Sequence, residues 1–274
     1  MGRCIEPELR ARIQAELEAI EREETAEILF AVESGSRAWG FPSRDSDYDV
    51  RFLYVRPIES YLAVTPPRDV IERPVDAVLD VNGWDLRKAL QLALRSNAVL
   101  IEWLTSPVRY RTWRRADDML ALARSAANLA ALTYHYQHQA RRSFDAVGDG
   151  GQTARVKSDC YALRSALAVT WIRQRREPPP MDVGTLMACV SLPEGLVEQF
   201  RDLIARKAVA KEDALMPRAV TFDAFITDAL STPVSETTVS AHKEVATRAD
   251  AFLAALLLDR ADTTGASKDG STCS

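Results

Sequence analysis

The sequence predicts an α+β protein: a small mixed β-sheet with flanking helices, followed by an all-helical region. Three observations carry that expectation. The runs Ala26 to Val32 and Val50 to Val55 are short, apolar and rich in β-branched and aromatic residues, as strands are. A polar loop with a Gly-Ser turn joins them. From Arg115 onward the apolar spacing is helical throughout, interrupted by Asp149-Gly150-Gly151 and Glu177-Pro178-Pro179-Pro180. The boundaries that follow are a sheet domain over residues 1–110, a helical domain over 111–260 that lines a cleft, and a disordered tail over 261–274.

In chain order, Glu6 to Glu23 reads as an amphipathic helix with Leu9, Ile13, Leu17 and Ile20 on one stripe. The two strands follow, with Arg37-Ala38-Trp39-Gly40 forming a short helical turn between them. Pro57 to Val64 is another short helix, ended by Pro66-Pro67. A third strand is expected over Val75 to Val81, with Asp76, Val78 and Asp80 on one face. Asn82-Gly83 then reads as a turn, and a helix opens at Asp85. Asn97 has the place of a helix cap, and Trp84 and Trp103 read as core. Later helices are expected at Arg115–Asn128, Leu129–Val147, Thr153–Arg175, Leu192–Val209 and Glu236–Leu258.

The loop over residues 33–50 carries the chemistry. Asp47 and Asp49 are two residues apart at the head of a strand, so their carboxylates share a face. Their repulsion is relieved when a cation sits between them, and hard divalent ions take carboxylate and phosphate oxygens together. Gly35 and Ser36 supply a residue without a Cβ and a hydroxyl beside backbone N–H groups, which suits a phosphate. The combination predicts a metal-dependent nucleotide site.

Gly35-Ser36 followed by Asp47-Tyr48-Asp49 resembles the signature of the DNA polymerase beta-like nucleotidyltransferase superfamily. Gly83-Trp84-Asp85-Leu86-Arg87-Lys88, Ser96-Asn97, Glu102-Trp103-Leu104-Thr105-Ser106-Pro107, Tyr134-His135-Tyr136 and Lys157 through Arg164 narrow the resemblance. They look like the branch related to bacterial and phage proteins encoded near RNA ligases. The resemblance implies transfer of a nucleotidyl group from an NTP to a hydroxyl or phosphate acceptor, an RNA end among the candidates. It implies Mg²⁺ or Mn²⁺ as cofactor, held by Asp47 and Asp49 with a third carboxylate on a neighbouring strand, as ligand or general base. Asp80 is the candidate for that role and Asp76 the runner-up. Arg37 is expected close to the phosphates. Arg87 and Lys88, early in the helix after the third strand, are expected to reach the same cleft. Tyr161 is expected to stack a base, with Lys157 and Arg164 for phosphates. A noncatalytic nucleotide-sensing or antitoxin-like regulator, and an enzyme that nucleotidylates a protein or small molecule, are the alternatives.

Composition sets limits on these readings. A net charge of −4 excludes a uniformly basic coat for nonspecific nucleic-acid binding, leaving a local groove near Arg109–Arg115 or Arg173–Arg176. The four cysteines lie far apart with no Cys-x-x-Cys pair, which suits reduced thiols. Three histidines are too few for a His-based metal centre to be the default, and His135 and His138 are expected to bond between helices. No apolar run reaches membrane-spanning length, and the charged first twenty-five residues predict no secretory signal, hence a cytoplasmic protein.

Overall fold

Helix α1 (Pro7–Glu24) opens with Pro7 in its first turn, where the missing N–H has no intrahelical partner to lose. Ile13, Leu17 and Ile20 recur at helical spacing and are buried. Each contributes roughly 1.5–3 kcal/mol by leaving water. The structure, a computed structural model, describes residues 5–76, 78–144, 152–211, 213–233 and 242–266.

The sheet is built from β1 (Glu27–Glu33), β2 (Tyr48–Val55), β3 (Val70–Glu72), β4 (Leu79–Asp85) and β5 (Arg109–Arg111), in the order β3-β4-β2-β1-β5. β2 and β4 run parallel, and the other neighbours are antiparallel, so the sheet is mixed as expected. Alternation along β2 divides the core. Val50, Phe52 and Tyr54 pack with the α1 side chains, while Leu53 and Val55 face the helices on the other side. A bulge between Ile28 and Phe30 shifts the register of β1. Leu29 and Phe30 therefore both join the helical side.

Helices α2 (Gly35–Trp39) and α3 (Ile58–Leu62) are short connections. α4 (Leu86–Leu94) is capped by the Asp85 carboxylate, which accepts from the Arg87 N–H at 2.7 Å. α5 (Ala98–Leu104) is capped by Asn97, whose side chain accepts from the Leu100 N–H at 2.9 Å as the sequence indicated. Beyond the sheet lie α6 (Ala116–Ala126), α7 (Leu129–Phe144), α8 (Val156–Arg175), α9 (Val183–Cys189), α10 (Leu196–Val209), α11 (Val220–Ser231) and α12 (His242–Ala266). α8 is buried along most of its length and packs against α7, α9, α10 and α11.

Four expectations are corrected. The third strand is β4, four residues later than Val75–Val81. Val75 and Val78 are exposed, and Asp76 instead accepts from the Val78 and Leu79 N–H groups, a turn that launches β4. Asn82-Gly83 is strand rather than turn, paired with β2 and β3, and glycine is needed because a Cβ there would meet the Phe52 ring at 2.1 Å. The helical region also contains a two-stranded ribbon, β6 (Thr153–Arg155) against β7 (Leu215–Pro217), so α8 starts only at Val156. The last helix runs to Ala266, into the stretch expected to be disordered, and residues 267–274 lie outside the described residues. Residues 145–147 and 236–241, expected as helix, also lie outside them.

One apolar core crosses residue 110. It joins Leu53 and Val55 of the sheet to Leu163 of α8, Phe200 of α10 and Phe225 of α11. Among the described residues, no helix is long and apolar enough to cross a membrane. Cys160 and Cys189 are free thiols, and burial pushes Cys160 up to about 12.

Candidate active site

The site begins where β1 ends. Ser34 is extended, and Gly35 turns the chain at φ +59° into α2. A Cβ at Gly35 would lie 2.0 Å from Asp49 Oδ2, so glycine is required both by the turn and by the approach of that carboxylate. Ser36 is buried and its hydroxyl donates to Ser46 Oγ at 3.1 Å. Ser46 Oγ also accepts from the Ser43 N–H at 2.9 Å, which folds the loop into a small hydroxyl cluster. Arg37 donates to the carbonyls of Ser46 at 2.5 Å and Asp47 at 3.0 Å, and stacks over Tyr48. It therefore clamps the backbone that carries Asp47.

Asp47 is exposed at the mouth, and Asp49 is set back on β2. The parallel register puts Asp80 beside Asp49. Between them lies Arg51, donating to Asp49 Oδ1 and Asp80 Oδ2 at 2.7 Å each. Burial is the largest influence on Asp49 and raises its pKa. Arg51 draws it back, and the nearby Asp47 and Asp80 charges push it up again. Behind it, Glu33 is fully buried, accepting from the Asp49 N–H at 3.1 Å and the Tyr110 hydroxyl at 2.5 Å. Burial pushes Glu33 up to about 7.

Ser36 and Asp47 line a cleft of about 250 Å³ whose other wall carries Lys157, Tyr161, Lys207 and Lys211. Lys207 is buried and donates to the Phe41 carbonyl at 2.9 Å, which ties α10 to the loop after α2. The structure thus gathers Gly35, Ser36, Arg37, Asp47, Asp49 and Asp80 around the ends of β1, β2 and β4, with Lys157 and Tyr161 across the gap.

Three expected members are elsewhere. Arg87 and Lys88 follow the far end of β4, and Lys88 pairs with Asp69 at 3.0 Å. Asp80 begins that strand, and five residues of strand at about 3.3 Å each separate Asp80 from the Asp85 cap. Arg164 is in the core, 1% exposed, donating to Glu102 at 2.7 Å and to the Met181 carbonyl. Its distance from Lys157 along α8, about 10 Å at 1.5 Å per residue, takes it from the mouth to the interior. The arginine clusters are also engaged elsewhere: Arg111 pairs with Glu21 and Arg173 with Asp228. His138 stacks on Tyr134 and His135 meets the edge of Tyr136, ring contacts within α7.

Sequence reading missed Arg51, Glu33, Lys207 and Lys211. Arg51 continues the alternation of Asp47 and Asp49, a local signal that was legible. The two lysines, Lys207 in the last turn of α10 and Lys211 just beyond it, have a role only once the chain is folded.

A model of the RNA repair pathway DNA polymerase beta family, RlaP, matches residues 9–255. The chain belongs to that family. The uncharacterized protein YcgL of Bacillus subtilis (strain 168) is 43% identical over 222 residues, spanning 80% of this chain and 84% of YcgL. A nucleotidyltransferase-like protein from Exiguobacterium sibiricum 255-15 aligns over 80% of this chain and 72% of its own at 12% identity and a TM-score of 0.26, a likeness on which nothing further rests. RlaP membership puts the chain among the polymerase beta-like nucleotidyltransferases.

The donor set can be tested for fit to a metal. Among the described residues no three His, Cys, Asp or Glu side chains form a preformed cage. Mg²⁺, however, is commonly held by one or two carboxylates with substrate phosphates filling its shell. Asp47 and Asp49 offer that pair, and a cation beside Asp49 would offset the burial that disfavours its charged form. The pair fits a hard divalent ion.

Proposed function

We propose that this RlaP protein is a metal-dependent nucleotidyltransferase that moves a nucleotidyl group from an NTP to an acceptor hydroxyl or phosphate. The observation that carries the reading is the convergence of Ser36 and Asp47 with Lys157, Tyr161 and Lys211 around one cleft, with Asp49 and Asp80 adjoining it. Asp47 and Asp49 would hold Mg²⁺ or Mn²⁺, which when bound neutralises triphosphate charge and orients the α-phosphate.

The rest is the work of the chain's own side chains. Ser36 and the N–H groups after Gly35 receive the β- and γ-phosphates, and Lys157 and Lys211 balance their charge from the opposite wall. The acceptor oxygen forms a bond to the α-phosphorus as the bond to the bridging oxygen breaks, and pyrophosphate leaves. With a hydroxyl acceptor, the proton passes to a carboxylate oxygen of Asp80, which Arg51 holds beside Asp49. Arg51 keeps the two carboxylates at a fixed spacing. Glu33 fixes the Asp49 backbone from below.

The family's description favours an RNA end as acceptor. The test is incubation with each labelled NTP, Mg²⁺ or Mn²⁺, and a panel of RNAs bearing hydroxyl or phosphate ends. Label should reach at least one RNA and the transfer should stop on addition of a chelator. No label on any RNA, but label on a protein or small molecule, would reassign the acceptor.

A further inference from the structure

Beside the cleft, and sharing Lys157 and Tyr161 with it, lies a larger open groove of about 640 Å³ between the facing sides of α7 and α8. Its α7 wall is a row four residues apart: Tyr134, His138 and Arg142. Residues at that spacing stand one above another on a helix, so the row spans about 12 Å. Tyr134 is 66% exposed, and its plane lies within 23° of the His138 ring, the two centroids 6.4 Å apart. The α8 wall supplies Lys157 and Tyr161. None of the groove's lining residues is acidic, although the chain carries 39 Asp and Glu against 35 Lys and Arg.

We infer that this groove binds a single-stranded nucleic acid and feeds its end into the cleft. Its chemistry is that of a strand-binding surface: flat rings on which unpaired bases stack, with cations at either side for the phosphates. A duplex hides its base faces and cannot use the Tyr134–His138 platform. Lys157 and Tyr161 line both cavities, so a strand held in the groove has a route to Ser36 and Asp47. The inference rests on the nucleotidyl-transfer reading only for the strand's role as acceptor. Strand binding itself is measured without catalysis.

The experiment is fluorescence anisotropy of the full chain with a labelled RNA of about 12 unpaired nucleotides. The same sequence as DNA, and as a blunt RNA duplex, are run beside it. Tyr134→Ala should weaken binding of the single strand about tenfold, from the loss of one stacked base. Arg142→Gln should weaken it several-fold and lower the salt dependence by about one charge. Both residues are exposed, so circular dichroism should match wild type. Binding of a nonhydrolysable NTP with Mg²⁺ should be unchanged in both variants. Preference for RNA over DNA, or equal binding of the two, each supports the groove provided the Tyr134 variant weakens it. Wild-type strand affinity in both variants, or a duplex bound as tightly as the single strand, overturns it whatever the transfer assay gives. Loss of strand binding alongside intact NTP binding upholds the groove even if no transfer is ever seen.

Discussion

Gly35 meets two demands at once, a positive φ and contact with Asp49 Oδ2. Gly35→Ala should therefore destabilise the protein by about 1–2 kcal/mol from backbone conformation alone, read as a lower midpoint in urea, with further loss as Asp49 is displaced. Asp49 behaves in the opposite way. Burial raises its pKa against the pull of Arg51, so Asp49→Asn should leave thermal stability equal to wild type or higher, while transfer disappears. Asp80→Asn separates two roles. If Asp80 takes the acceptor's proton, single-turnover transfer should slow by ~10²–10⁴-fold with NTP affinity intact. An equal fall in affinity would make it a metal ligand instead. Gly35, Ser36, Asp47 and Asp49 were legible because their relation is local, set by a turn and by strand alternation. The meeting of Asp80 with Asp49 depends on strand pairing, which the sequence did not locate correctly. Arg51 owes its role to the same register.

At the scale of elements, α2 is held from behind by a buried polar network. Glu102 on α5 accepts from Trp39 Nε1 at 3.2 Å, from the Tyr136 hydroxyl at 2.9 Å and from Arg164 at 2.7 Å. Arg164 also lies over the Trp39 ring. α2, α5, α7 and α8 thus meet at one carboxylate. Glu102→Ala strands a buried guanidinium and should cost on the order of 3–5 kcal/mol in chemical denaturation. Arg164→Met should change stability far more than NTP affinity, since the side chain is buried beneath Trp39 and does not line the cleft. Helical spacing put Lys157, Tyr161 and Arg164 on one face, which is correct, but spacing does not reveal depth. The first two residues stand at the mouth and the third beneath Trp39. Likewise β4 was misplaced because Gly83 resembled a turn signal, when its purpose is to let Phe52 lie flat against the strand.

For the whole molecule, the strand order β3-β4-β2-β1-β5 brings together carboxylates thirty-one residues apart, and the core that crosses residue 110 fixes the opposite wall of the cleft. That core includes a carboxyl at a price in stability. Burial raises Asp159 to about 6, with Arg218 drawing it down and Asp223 pushing it up. The fold therefore binds this proton more tightly than the unfolded chain does. Its contribution to stability is fully present below the ordinary pKa and is lost as pH rises through about 6. Asp159→Asn should stabilise the protein by on the order of 2 kcal/mol at pH 8 and by little at pH 4, measured by denaturation at both. The fold class was legible because short apolar strands and long helical periods are properties of single segments. The ribbon β6–β7 was not, since each strand gains its identity only from the other. The most direct test of the central claim is single-turnover transfer of labelled nucleotide by wild type, Asp47→Asn and Asp49→Asn, each with Mg²⁺ and with chelator. Wild type should transfer nucleotide with Mg²⁺ alone, and each variant should lose at least about 10²-fold with the fold retained. Transfer at the wild-type rate in either variant, or in the presence of chelator, would contradict that claim.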